Sequence, residues 1–486
     1  MASEELSKLV EELNKRLEEQ AQQLELQAQR IAELEAENQK LRDLLASEGS
    51  KKGSKAPKFK ENYSVEKHKG KGKSKRGKDA TGRRPQSAKL EQVSRTVEVY
   101  EAGVPEGACV ARGSQCVWRI EDGRAHYICY QFFTHPETAT VPPLPGVRNR
   151  WSEYGQEVIL LVAYLHYWVG ISLDHSCEVV EFFTGLVLSK SQANSLLSQL
   201  STDWQDVYDS LAELLSYQLV LYIDETSWRV GKENCYTWAF STAMHVLFRC
   251  GVGRGKAEAQ AIVGEQFPGI GVSDDYGAYQ SLFSQHQLCW AHLLRKAIKL
   301  MLQQPSVDEY KTFLDELYRI YQQAVRWQKD QRLSTGRGAK VEHLQASIRK
   351  LCHRAGTAID KETMPVHEQT FIRLQNELIK GLDALFVFVI HPQVEPTNNR
   401  SERNIRREAE VRKGGRTSKT HQGARRRGII MSVLASLNTR LQPFTLQTLI
   451  DEIERWIEEG VSLFQAELEQ IKLAHPPPVA ENLQSQ

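Results

Sequence analysis

The chain has 486 residues, 41% of them hydrophobic, which is too long for one ordinary domain and rich enough to bury several cores. Its longest apolar stretch, Val158 to Val169, is too short to cross a bilayer and contains His166, so a membrane protein is excluded and a cytoplasmic one expected. The 8 cysteines are scattered without paired spacing, which excludes a disulfide scaffold and points to reduced thiols.

A net charge of +2 conceals a segregation of sign along the chain. Leu6 to Leu45 reads as a heptad helix, with Val10, Leu17, Leu24, Ile31, Asn38 and Leu45 at one core position. Leu6, Leu13, Leu34 and Leu41 take the other, with Gln20 and Gln27 in the remaining slots. Leucine mixed with β-branched residues and a lone core asparagine favours a parallel two-stranded coiled coil, hence a homodimer or higher homo-oligomer. After Ser47 the chain turns to Lys, Gly and Ser, most cationic from Lys67 to Lys78, and predicts a basic disordered linker.

Alternation in TVEVY, VWRI and AHYICYQFF predicts a small β-rich module between Val97 and Pro142. Cys109, Cys116 and Cys129, with His126 and His135, raise zinc as a cofactor there. The intervening gaps of six and twelve residues lack the close pairs of a zinc site, and core thiols explain them as well. Trp151 to Gln218 reads as helical, with EYGQEVILLVAYLHYWVG as one helix and shorter ones at Cys177–Phe183 and Ser191–Leu200. A turn glycine followed by Ser189 or Ser191 as N-cap fits a helix-turn-helix, which would set Lys190, Gln192 and Asn194 against DNA; an ordinary helical hairpin fits equally.

Leu219 to Ile223 is a nearly continuous apolar run, suited to a strand buried on both faces. Acids end it, and Asp224 is the first candidate metal ligand, a turn-forming acid being the alternative. Strands follow at Tyr236–Thr242 and His245–Val252, then a short helix near Glu258 to Phe267. GIGVSDDYGAY sets Asp274 and Asp275 at the end of another strand, and HQLCWAHLLRK runs from strand into helix. Lys296 to Phe388 is almost wholly helical. Asn398 or Asn399 then caps a helix with Glu402 in its first turn, and helices at about Gly428–Thr439 and Leu446–Glu458 follow before a Pro-rich end that should fray.

These residues resemble the transposases of the insertion-sequence-66 family. The matching motifs are DET at Asp224–Thr226, SDDYGAY at Ser273–Tyr279, CWAH with RK over Cys289–Lys296, and NNRSER at Asn398–Arg403, in that order. The resemblance implies an α/β fold with an RNase H-like catalytic core interrupted by a helical insertion. It further implies a catalytic and metal-holding triad of Asp224, Asp274 and Glu402, with Asp275 secondary and Glu225 pointing away. Carboxylate oxygens suit magnesium or manganese. The implied activity is cleavage and strand transfer at the ends of an insertion sequence, with double-stranded transposon ends and target DNA as partners and a nucleoid-associated location. A general RNase H-like nuclease and an inactive DNA-binding descendant are the alternatives.

His292 is expected to be a packed helix-start residue and Cys289 a buried small one. Arg400, Arg403, Arg406 and Arg407 flank Glu402, and Arg412, Lys413, Arg416, Arg425, Arg426 and Arg427 follow, an excess of one sign that favours phosphate contact over a merely solvated face. The expected divisions are a coiled coil (1–46), linker (47–95), β-rich zinc-finger-like module (96–145) and helical DNA-binding region (146–217). Next come the first part of the core (218–296), the insertion (297–394), the second part of the core (395–470) and a disordered tail (471–486).

Overall fold

The computed structural model describes residues 92–138, 140–279, 281–332 and 335–474, all within one unit of the chain, Pro85–Gln486. The expected coiled coil and the Lys67–Lys78 tract lie outside the described residues. No helix among those described is long and apolar enough to cross a membrane.

A three-stranded sheet comes first, from β1 (Arg95–Tyr100), β2 (Val110–Glu121) and β3 (Arg124–Thr134), in the order β1-β3-β2. Asp122 (φ 51°) and Gly123 (φ 75°) turn β2 back into β3, since this tight hairpin needs positive φ at both central residues. Cys116 and Cys129 are direct cross-strand neighbours. Among the described residues the cysteines and histidines of this module do not gather into a metal-binding group.

The next stretch divides further than its sequence pattern foretells. Helix α1 (Gln156–Ala163) passes into a π-helical turn, Tyr164–Trp168, and stops at Gly170, whose φ of 80° and close approach to Val411 both favour glycine. Helix α2 (Leu173–Thr184) ends at left-handed Gly185, and α3 (Lys190–Asp203) opens with a capping box between Ser189 and Gln192. A further helix, α4 (Gln205–Ser216), follows.

The central sheet is built from β4 (Val220–Val230), β5 (Glu233–Ser241), β6 (Val246–Val252), β7 (Phe267–Ser273) and β8 (Phe283–Leu288), with α5 (Lys256–Val263) between β6 and β7. Its order is β6-β5-β4-β7-β8. β4 runs antiparallel to β5 and parallel to β7. The apolar run in β4 serves two cores by simple alternation: Leu221 and Ile223 join one cluster and Tyr222 the other. The strand does not end at the acids, as expected, but continues to Val230 with Trp228 and Val230 buried.

Helices α6 (Trp290–Gln303), α7 (Asp308–Lys329), α8 (Arg337–Leu351), α9 (Val366–Lys380) and α10 (Val387–Ile390) cover the Tyr222 face. The chain then returns as α11 (Asn399–Lys413), α12 (His421–Arg440), α13 (Leu446–Glu459) and α14 (Leu463–Ala474). Two boundaries among these returning helices differ from expectation. α12 begins at His421 rather than Gly428, and α14 continues past 470, where the tail was expected to begin; Phe464 and Leu468 anchor it in the first core. α12 also closes the sheet edge. Gly428 lets the helix approach β6, Ser432 Oγ accepts the Phe248 amide (2.8 Å), and Ser436 Oγ accepts the Val246 amide (2.9 Å).

Candidate active site

β4 and β7 remain paired only as far as Tyr222 and Val272. Asp224 and Asp274 each lie two residues beyond that last pair, so the strands part where the two acids emerge. Such a divergence at the carboxyl ends of parallel strands is where open α/β sheets form their clefts. The third acid arrives on α11, which is tied directly to the sheet. Asn398 Nδ2 donates to Ile223 O (2.7 Å), Ser401 Oγ to Ala239 O (3.0 Å), and Asn404 Nδ2 to Ser241 Oγ (2.9 Å). Asn398 thus occupies the N-cap position of α11 but spends its side chain on β4, making no side-chain cap bond. Glu402 falls in the first turn of the helix, as expected.

Burial pushes the Asp224 carboxyl up to about 8, and the charges of Glu225, Asp274 and Glu402 add to the rise, partly offset by the Glu225 amide. Asp274 Oδ1 accepts the Tyr276 amide (3.0 Å), and Asp275 is exposed. Glu225 is drawn off by Arg254, whose Nη2 and Nε lie 2.9 and 3.0 Å away, and by the Tyr279 hydroxyl, which donates to it. Arg254 in turn sits 4.0 Å over the Tyr276 ring. Glu225 therefore points elsewhere, yet its charge still acts on Asp224.

Glu402 Oε1 accepts from Arg295 Nη2 at 2.8 Å and lies 3.7 Å from His292 Nδ1. Cys289 Sγ is 4.0 Å from the same oxygen. Among the described residues, Cys289, His292 and Glu402 are the group whose potential ligand atoms all fall within 4.8 Å of one another; the three predicted acids are not such a group. Burial first, and then Arg295, lowers the His292 imidazole below its ordinary range, so it is neutral near pH 7. The sequence pattern gave no role to Arg295, Tyr279 or Arg254, and Asn398 was expected only as a helix cap. Three of them were visible inside the quoted motifs, without any local pattern to reveal their partners.

The predicted DNA-facing residues separate into two sets. Lys190 pairs with Asp174 (2.6 Å), Gln192 completes the cap of α3 and donates to Tyr154 Oη (2.9 Å), and Asn194 Oδ1 accepts from Arg426 (2.8 Å). Arg426 also binds Tyr167 Oη (2.8 Å), while Arg412 reaches Thr226 Oγ1 and Ser227 O, both at 2.9 Å. Arg425, though exposed, reaches Gln205 (3.1 Å). By contrast Arg403, Arg406, Lys413 and Arg416 are exposed, and all but Lys413 line an open groove of about 510 Å³ with Tyr164, Trp168 and Arg407.

The family model described as Transposase IS66 family matches residues 152–426, from just before α1 into α12. No curated protein matches the chain.

Proposed function

The chain belongs to the transposase IS66 family, and from that premise we propose that it cleaves DNA at the ends of an insertion sequence and joins them to target DNA through Asp224, Asp274 and Glu402. The observation that carries this is the parting of β4 and β7 at two acids, with a third carboxylate close enough to raise the Asp224 carboxyl. The sheet supports an RNase H-like core: three antiparallel strands, β6, β5 and β4, continue into parallel β7 and β8, and helices α6 to α10 interrupt the core before α11.

The donor set fits a hard divalent cation. Asp224 at about 8 is a carboxyl that must hold either a proton or a compensating positive charge at neutral pH, and oxygen-only ligands suit magnesium or manganese. Held by the three acids, such ions would activate the attacking oxygen and stabilise the leaving one in in-line displacement at phosphorus. The remaining work belongs to the chain. β4 and the Asn398 bridge to Ile223 keep Asp224 and the start of α11 in fixed register. Arg254 and Tyr279 hold Glu225 aside, so that one acid of the adjacent pair faces the cleft. Arg295 neutralises Glu402 until it exchanges that partner. Exposed Arg403, Arg406, Lys413 and Arg416 supply phosphate contacts beside the site, and copies pair through the amino-terminal heptads.

Asp224→Asn, Asp274→Asn and Glu402→Gln should each lose cleavage and joining of end-containing DNA while still binding it. A variant that still cuts removes its residue from the triad. Wild-type protein that cuts without ever joining ends to target would be a nuclease instead.

A further inference from the structure

Cys289 and His292 belong to none of the chemistry above, yet they stand against Glu402 with a sulfur and a nitrogen presented to one carboxylate oxygen. Sγ is 4.0 Å and Nδ1 3.7 Å from Oε1. A tetrahedral zinc ion, with bonds of about 2.3 Å to sulfur and about 2.0 Å to nitrogen and oxygen, sets such ligand pairs roughly 3.3–3.5 Å apart. Closure of these two pairs by roughly half an ångström, with the sulfur and nitrogen drawing together from within 4.8 Å, would complete three of its corners and leave the fourth to water.

Two independent features prepare the group for a cation. His292 Nδ1 is buried without a hydrogen-bond partner, so this nitrogen is not committed to another group. Cys289 occupies the N-cap position of α6, and its sulfur accepts the Asn398 amide at 3.1 Å. A helix start and an amide donor both favour a thiolate, against the burial that raises the thiol. The Cys-x-x-His spacing puts both side chains over the first turn of α6, and α11 brings the carboxylate to them.

We propose that Cys289, His292 and Glu402 form a binding site for a transition-metal ion of the zinc class, and that filling it withdraws Glu402 from Asp224 and Asp274. The binding stands on this geometry alone; its inhibitory consequence rests on Glu402 being the third acid of the proposed active site. Thiolate and imidazole select such an ion over magnesium, which prefers oxygen. As the sulfur–metal bond forms, the thiol proton leaves to solvent. His292 binds through Nδ1 and keeps its proton on Nε2, and no electron changes hands. Arg295, 2.8 Å from Glu402 with 56% of its side chain exposed, is free to swing into solvent as the ion replaces its charge.

Cobalt(II) is the probe, titrated alone into the full-length protein without DNA. The expected result is a thiolate-to-cobalt charge-transfer band with visible bands of tetrahedral strength, saturating at one ion per chain. Cys289→Ser should abolish the charge-transfer band. His292→Gln should weaken cobalt binding at least about tenfold, and Arg295→Gln should tighten it by removing the competing cation. Cys129→Ser, in the β-rich module, should change nothing. Absence of the band, its survival in Cys289→Ser, or unchanged affinity in His292→Gln would each overturn the site. His292→Gln keeps the test open if the buried cysteine variant fails to fold. Asp224→Asn separates the two proposals: it should keep the cobalt band whether or not it loses cleavage, so continued cutting would sink the triad and leave the metal site standing.

Discussion

The two faces of α11 set arginines to opposite uses, one by holding an arginine of α12 and the other by presenting its own. Toward the core, Glu408 (0% exposed) holds Arg427 (4% exposed) by paired bonds of 2.6 and 2.9 Å, and that guanidinium lies 5.0 Å over the Trp228 ring. Toward solvent, Arg403 and Arg406 line an open groove. Both sets come from one basic stretch of sequence. The difference teaches that burial and a designated partner decide what an arginine does here, and that a count of positive charge does not.

The strongest way to break the inner face is Glu408→Ala, which strands a buried guanidinium and should cost about 3–5 kcal/mol of stability, read by urea unfolding. Replacing both partners together with apolar residues of similar volume should recover most of that loss, because no charge remains to be desolvated. If Glu408→Ala proved neutral, the two faces would not differ in kind.

Acid probes the same face. His166 is pushed down to about 4, chiefly by burial, with the charges of Arg427, Arg426 and Arg416 adding to the fall. A histidine whose folded value lies below its unfolded one stabilises fully above about 6.5 and loses that contribution as pH drops toward 4. The loss should reach about 2 kcal/mol by pH 5, and His166→Asn should flatten the slope between pH 6.5 and pH 4. An unchanged slope would show that this imidazole is not desolvated.

Arg412 sharpens the comparison because it lies on the boundary. Its bonds to Thr226 and Ser227 join the end of α11 to β4, so Arg412→Ala should cost about 1–2 kcal/mol and barely alter the salt dependence of DNA binding. A large change in salt slope with no loss of stability would return it to the outer set. The smallest effect on stability is expected from Arg403, Arg406 and Arg416. Changing all three to Gln should alter unfolding by under about 0.5 kcal/mol per site while lowering the log–log salt slope of DNA binding by about 0.9 for each lost phosphate contact. Unchanged affinity and slope would make the groove a solvated face.

The sequence was most legible where chemistry and period agree. The run Leu219–Ile223 pointed to a strand buried on both faces; Leu219 precedes the central strand and is 74% exposed, whereas within that strand Leu221 and Ile223 do join one core and Tyr222 the other. Its continuation to Val230 was also written in the alternation of Trp228 and Val230, but the acids drew the boundary too early. Helix α4 carried its signal at Val207, Leu211, Leu214 and Leu215, submerged in a longer helical reading. The π-helical turn had no signal, because one extra residue per turn leaves an apolar helix looking apolar. At the candidate site, Asp224 alone was indistinguishable from a turn acid, and the order of four motifs made the choice. The contact between Arg295 and Glu402 spans 107 residues, and that between Arg427 and Glu408 spans 19, so neither follows from local spacing.

The serines of α12 carry a consequence for how copies of this chain can assemble. A strand at the rim of a sheet ordinarily offers its amides to any extended segment that drifts past, which is how sheets fuse across molecules and how aggregates start. On β6 the Val246 and Phe248 amides are already taken by Ser436 and Ser432, and Gly428 keeps the helix close enough to hold them. Two copies therefore cannot merge into one continuous sheet along this rim without first prying α12 away. Shortening either hydroxyl to a methyl group would expose an unsatisfied amide, and sticky, misassembled protein would be the sign that the latch had opened.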